Sequence, residues 1–172
     1  LSKQSDIHGK LTIVPLANPI GVQLQEYGFQ YGRWNTQNGK DWNRIFSKIV
    51  APSEQGDSIE KRLTSTLQGL AHGHDVVLDI HTAGKYSVSH LYTTQINIQY
   101  FAPLAAQCVI VIDESDYLYA FDESCEAVAM EEGHTIRTAT WEAGVHGTIG
   151  MTELKERFQD LLNFLVTCGV LP

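Results

Sequence analysis

Four short apolar runs punctuate the chain: Leu11–Leu16, Val76–Ile80, Cys108–Ile112 and Thr135–Trp141. The first three are nearly unbroken Val, Ile and Leu, the composition of strands buried on both faces in a helix-covered sheet. Thr135–Trp141 alternates more, which places it nearer a sheet edge. Helical periodicity falls between and after these runs. Ile59, Leu63, Leu67, Leu70 and Ala71 recur on one face. Asp57 is the expected cap, with Glu60 closing a capping box and Gly73 as the stop. Asp122 to Met130 reads as a shorter acidic helix ending at Gly133. Leu154, Phe158, Leu161, Leu162 and Leu165 form a last apolar stripe, capped by Thr152 and ended by Gly169 and Pro172. This alternation predicts an α/β fold, a mostly parallel or mixed sheet covered by helices. Two stretches resist assignment. Pro19 to Phe46 carries Gly21, Gly28, Gly32 and Gly39, and Ala83 to Gln95 is mixed and polar. Long irregular segments in compact domains are often functional.

Composition narrows the function. At 172 residues the chain fits a single α/β domain spanning 1–172. With 43% hydrophobic and 19% charged residues it is globular rather than disordered. Its net charge of −8 argues against nucleic acid and anionic membrane as partners, because both need a basic surface. No apolar run approaches the ~20 residues that span a bilayer. Cys108, Cys125 and Cys168 form no CxxC pair, so neither a zinc ribbon nor a thioredoxin motif is present. All three are expected to be small buried residues in a reducing cytoplasm. Leu1 to Lys10 lacks the charged and apolar regions of a signal peptide.

Three constellations could carry chemistry. Lys40-Asp41-Trp42-Asn43-Arg44, with Arg33 upstream, could hold an anion, since the planar guanidinium donates two parallel hydrogen bonds to a carboxylate. The bland alternative is a solvated loop with an Arg paired to a nearby Asp. Asp79-Ile80-His81-Thr82 ends the Val76–Ile80 run, and ligands gather beyond the carboxyl ends of strands in parallel sheets. His81 there could reach a metal while Asp79 fixes its tautomer, or it could bond only locally. Trp141-Glu142-Ala143-Gly144 ends the fourth run, where Glu142 is a candidate general base or a simple exposed residue. His72-Gly73-His74-Asp75 looks metal-like but sits where a helix ends, a place that favours His⁺ through the helix dipole. His8, His90, His134 and His146 have no partner spacing that singles them out. No P-loop, G-x-S-x-G or G-x-G-x-x-G occurs.

Taken in order, Pro15-Leu16-Ala17-Asn18-Pro19, Arg33, Asp41-Trp42-Asn43-Arg44 with Phe46, Asp79-Ile80-His81-Thr82, and Glu142 with Gly144 resemble the succinylglutamate desuccinylase/aspartoacylase family. That family has the zinc carboxypeptidase-like fold. The resemblance runs from about Leu11 to Gly169. It implies a catalytic zinc held by a His-x-x-Glu pair and a later His, which His81 matches. It implies that Arg33 polarises the scissile carbonyl and that Asn43 and Arg44 bind the substrate carboxylate. Glu142 would activate a water and then protonate the leaving amine. The implied substrate is a small anionic N-acyl amino acid or similar amide.

The chain departs from the pattern in one respect above all. None of its seven histidines has Glu three residues later. The resemblance therefore places the His-x-x-Glu pair upstream of Leu1 and a β-rich domain beyond the last helix, so that the domain is incomplete at both ends. Trp42 also stands where the family usually has Leu. The alternative reading is a non-catalytic α/β module that binds a small carboxylate through Asn43 and Arg44.

Overall fold

A computed structural model of the protein describes residues 7–23, 25–26, 29–48, 54–113, 119–146 and 150–172. Residues 1–6, within the polar N-terminal stretch, and Gly28 lie outside the described residues. In chain order the elements are α1 (Pro19–Val22), β1 (Gln25–Glu26), β2 (Phe29–Gln30), α2 (Ile59–Ala71), β3 (Val76–Ala83), β4 (His90–Thr93), α3 (Ile98–Phe101), β5 (Cys108–Val111), α4 (Phe121–Glu131), β6 (Arg137–Val145) and α5 (Met151–Thr167). The chain divides into two compact units. One comprises Leu1–Leu11, Leu78–Asp116 and Arg137–Pro172, the other Thr12–Val77 and Tyr117–Ile136.

The first unit is built on a mixed four-stranded sheet of order β3-β6-β4-β5. Strands β4 and β5 are parallel, with His90 opposite Cys108. Strands β4 and β6 are antiparallel, with His90 opposite Glu142 and Leu91 opposite Trp141. The run expected near an edge thus forms an interior strand. Its threonines look polar, but Thr138, Ala139, Thr140 and Trp141 are all buried. The Thr138 carbonyl accepts a hydrogen bond from Thr93 Oγ1 at 2.8 Å, so the hydroxyl on the neighbouring strand is satisfied inside the sheet. Strand β4 emerges from the polar stretch Ala83–Gln95. His-Leu-Tyr-Thr carries little aliphatic signal, yet three of its four residues are buried. Strand β5 forms as expected but is exposed along its length, and Cys108 with it. The expectation that all three cysteines are buried therefore holds for Cys125, while Cys168 is half-buried. Burial pushes the Cys168 thiol above its ordinary value. Helix α5 starts after Gly150 rather than at a Thr152 cap. Its buried anchor is Phe164, which stacks on Phe101 at 5.5 Å, whereas Leu154 and Phe158 of the expected stripe are exposed.

In the second unit, Val77, Cys125, Ala129 and Ile136 form a core against which Ala71 and Phe121 pack. The Leu11–Leu16 run, expected to be a strand, is irregular. No described strand pairs with it, and Ile13 is 71% exposed. Helix α2 ends at Gly73, whose φ of +72° suits glycine. Its cap is Ser58 rather than Asp57: Ser58 Oγ accepts from the Lys61 amide at 3.2 Å. Asp57 instead accepts from the Glu54 amide and pairs with Lys61, and these contacts lower its pKa. The buried face of α2 is the polar one, Glu60, Thr64 and Gln68, one turn apart. Ile59 and Leu70, on the predicted apolar face, are exposed. Leu63, Leu67 and Ala71 of that face are half-buried, so the buried stripe is rotated rather than inverted, and its polar groups find partners. Gln68 Nε2 donates to the Ser47 carbonyl at 2.7 Å, and Glu60 binds two asparagines.

Candidate functional site

Strands β3 and β6 bring three of the expected polar groups together. Residues two apart on a strand share a face, so Asp79 and His81 project side by side. His81 Nε2 lies 2.9 Å from Asp79 Oδ2. An ionised carboxylate only accepts, so Nε2–H is the donor. In the neutral ring the lone pair then sits on Nδ1, which faces Glu142 Oε1 at 3.9 Å. The Glu142 side chain is only 15% exposed. Its Oε2 is buried with no hydrogen-bond partner among the described residues. A buried carboxylate oxygen without a partner is costly, and such groups concentrate at working sites. Gly144, two residues on and on the same face, leaves the space in which Glu153 Oε1 sits, 2.9 Å from where a Cβ would be. Thr82 Oγ1 and His146 Nδ1 are 2.8 Å apart at the same strand ends.

Sequence spacing gave no reason to single out His90. It lies directly across from Glu142 in the β4–β6 ladder and is 7% exposed. Its Nδ1 is 2.7 Å from the Val88 carbonyl, and its ring meets Tyr92 edge-on. The only available signal was the strand register, which an isolated polar segment does not reveal.

The second unit holds the arginine loop. Arg33 ends a short 3₁₀ turn, and its Nε and Nη2 both lie 2.9 Å from Asp41 Oδ2. The guanidinium carbon is 5.5 Å from the Trp34 ring centroid. This is the Arg–Asp pairing of the bland reading, with the Arg33 side chain 59% exposed. Asp41 also caps the next turn, Trp42–Arg44, by accepting from the Asn43 amide at 2.9 Å. Asn43 Oδ1 accepts from the Phe121 amide at 3.0 Å and so ties the loop to α4. Its carbonyl oxygen is therefore occupied, and Nδ2 is the end left to meet a ligand. Arg44 is exposed, its Nη1 donating to the Asn43 carbonyl. Trp42 is buried under the turn.

Residues 35–40 close on themselves. The Asn35 amide donates to the Lys40 carbonyl at 2.8 Å, and the Gly39 amide to the Asn35 carbonyl at 2.7 Å. Gly39 has φ +72°, which a side chain would resist. Both asparagine amides of this hairpin reach one atom: Glu60 Oε1 accepts from Asn35 Nδ2 at 2.7 Å and from Asn38 Nδ2 at 2.5 Å. Hydrogen bonds from its own backbone N–H, and next from Asn38, hold the Glu60 carboxyl at about 2. Read from sequence as a capping-box member, Glu60 is instead a long-range anchor.

His72 and His74 behave as helix-end groups. His72 follows α2, and its Nε2 lies 3.2 Å from Glu132 Oε2, which caps the C-terminus of α4. His74 bonds Thr12 and the Ala71 carbonyl. Among the described residues, no group of three or more His, Cys, Asp or Glu side chains is placed to hold a metal ion. His81, oriented by Asp79, has the chemistry of a single ligand with its outer-shell partner. No described helix is long and apolar enough to cross a membrane.

A family model, the succinylglutamate desuccinylase/aspartoacylase catalytic domain, matches residues 1–164. No curated protein matches the chain. Among solved structures, a succinylglutamate desuccinylase/aspartoacylase family protein from Shewanella amazonensis SB2B superposes with a TM-score of 0.75 at 24% identity, over 91% of this chain and 54% of that one. A succinylglutamate desuccinylase/aspartoacylase from Rhodobacter sphaeroides gives 0.69 at 19% identity, over 98% and 48%. The product-bound ectoine utilization protein EutE (DoeB) from Ruegeria pomeroyi gives 0.67 at 20% identity, over 97% and 49%. These likenesses show the fold, and the chain spans about half the length of each solved relative.

Proposed function

The chain belongs to the succinylglutamate desuccinylase/aspartoacylase family, and on that footing we propose that it serves a zinc-dependent hydrolase that cleaves the amide bond of a small anionic N-acyl amino acid. The observation that carries the reading is the buried, unpartnered Oε2 of Glu142 beside the Asp79–His81 pair. His81 would supply one zinc ligand through Nδ1. When bound, zinc lowers the pKa of water to ~7 and polarises a carbonyl.

The chain's own residues do the rest. Glu142 takes a proton from the attacking water as the new C–O bond forms. It returns that proton to the amine nitrogen as the C–N bond breaks, which leaves a carboxylate and a free amine. Arg33 stabilises the carbonyl oxygen as negative charge develops there. Arg44 and Asn43 Nδ2 donate to the substrate carboxylate. A reducing, cytoplasmic setting belongs to the same proposal, in keeping with three widely spaced cysteines and no CxxC pair.

The test is Glu142→Gln in the complete protein, assayed with N-succinylglutamate. Turnover is lost while zinc is retained; turnover at the parent rate would refute the role of Glu142. A carboxylate-binding module without catalysis is the second reading, favoured by the lack of a three-residue metal set among the described residues. It requires ligand affinity that survives a chelator with no hydrolysis at any zinc concentration.

A further inference from the structure

We propose that Glu60 is the positioning residue of the carboxylate-binding loop, fixing Arg33, Asn43 and Arg44 through the hairpin that it clamps. The inference rests on the substrate reading above. It starts from a buried carboxylate, 8% exposed, on the first turn of α2. Burying a charge is costly unless hydrogen bonds satisfy it. Here one oxygen, Oε1, takes the side-chain amides of Asn35 and Asn38.

Those two asparagines are also the internal staples of the hairpin. Asn35 Oδ1 accepts from the Gln37 amide and Asn38 Oδ1 from the Lys40 amide, both at 3.0 Å. Each asparagine therefore uses its oxygen to shape the turn and its nitrogen to fasten it to α2. The hairpin arms lead directly into the ligand groups. Trp34 and Asp41 form an isolated antiparallel bridge at its base. Asp41 then holds Arg33 with one oxygen and the Asn43 amide with the other. Arg33 and Arg44 are solvent-exposed and long, so their direction depends on what their backbone is attached to. Glu60 supplies that attachment from 19 residues beyond Asp41.

The mechanism makes Gln and Ala distinguishable at position 60. A glutamine keeps an Oε1 with two lone pairs and can accept both asparagine amides, losing the charge and the second carboxylate oxygen as an acceptor. An alanine leaves the buried Asn35 amide without its acceptor and releases the exposed Asn38 amide to water.

The measurement is calorimetric affinity for N-succinylglutamate in the complete, zinc-loaded protein carrying Glu142→Gln, so that no hydrolysis intervenes. Melting temperatures are taken alongside. Adding Glu60→Ala weakens binding about tenfold, the worth of charged hydrogen bonds at the loop, while Glu60→Gln stays within about threefold. A merely structural role lowers the melting temperature and leaves the affinity of the folded protein unchanged. That result overturns the inference, as does a glutamine variant that binds as poorly as alanine. If Glu60→Ala does not fold, Asn38→Ala removes one clamp alone. It weakens binding about threefold, and unchanged affinity overturns the inference. Binding by the parent protein without hydrolysis would defeat the deacylase reading and leave the Glu60 result standing. Absence of binding by the parent defeats the inference itself.

Discussion

The cluster on strands β3 and β6 and the arginine loop are both polar, but they are held in different ways. Asp79, His81 and Glu142 are set by backbone. Two of them share a face of β3 through the two-residue strand period, and the third sits in a ladder whose register is fixed opposite His90. Arg33, Asn43 and Arg44 are set by side chains. Asn35, Asn38 and Glu60 clamp a hairpin whose base is the Trp34–Asp41 bridge, and Asp41 in turn holds Arg33 and the Asn43 amide, so each amide or carboxylate in this relay serves two partners. A site built on a ladder tolerates loss of a neighbouring side chain. A site built on a relay transmits it.

The largest expected effect sharpens the first half of this contrast. Glu142→Gln lowers turnover by about a hundred- to ten-thousand-fold, the usual worth of a positioned acid–base group, without unfolding the sheet. Turnover with N-succinylglutamate and a circular-dichroism melt read the two halves separately. Next, Asp79→Ala frees the His81 ring and weakens zinc affinity by about ten- to a hundredfold, read by competition with a chelating dye. The β3–β6 ladder stays intact, because it depends on backbone; a collapse of the melt would break the distinction. Smaller again, Arg44→Ala raises KM about tenfold with kcat little changed, as expected for a group that binds ground and transition states alike. A fall in kcat alone would move Arg44 from recognition to chemistry.

The smallest effect concerns pH. The Glu60 carboxyl is depressed from an ordinary 4.5 to about 2. Its contribution to stability is therefore complete above about 4.5 and is lost as the pH falls towards 2. Urea midpoints of the parent protein should decline across that window more steeply than those of Glu60→Gln, which has no proton to take up. Parallel declines would mean that the Asn35–Glu60–Asn38 clamp carries no net charge effect.

How much of this was legible in the sequence follows the same division. The Val and Ile run of β3 pointed to His81, although the strand expected to be buried on both faces lies at the edge of the described sheet with Ile80 52% exposed, and Glu142 stood out at the end of the alternating β6 run. The interior position of β6 was not legible, since threonine reads as polar although Thr138 and Thr140 are buried. Helix α2 shows the opposite error. Its apolar stripe is only half-buried at Leu63, Leu67 and Ala71, and the fully buried positions are Glu60, Thr64 and Gln68, of which Glu60 and Gln68 meet partners distant in sequence. Asn35 and Glu60 are 25 residues apart, and no local periodicity encodes such a pair. The Leu11–Leu16 run had the right composition for a strand, but composition cannot supply the partner that a strand requires.

The proposed roles of His81 and Glu142 in a zinc-dependent amide hydrolase are tested by a zinc titration of the complete, chelator-stripped protein, following release of the free amine from N-succinylglutamate, in the parent and in His81→Ala. Turnover is expected to be absent after stripping, to rise with zinc to a plateau at stoichiometric metal in the parent, and to fail to recover in His81→Ala. Full turnover in the stripped protein, or a His81→Ala variant that binds zinc and works like the parent, would contradict these roles.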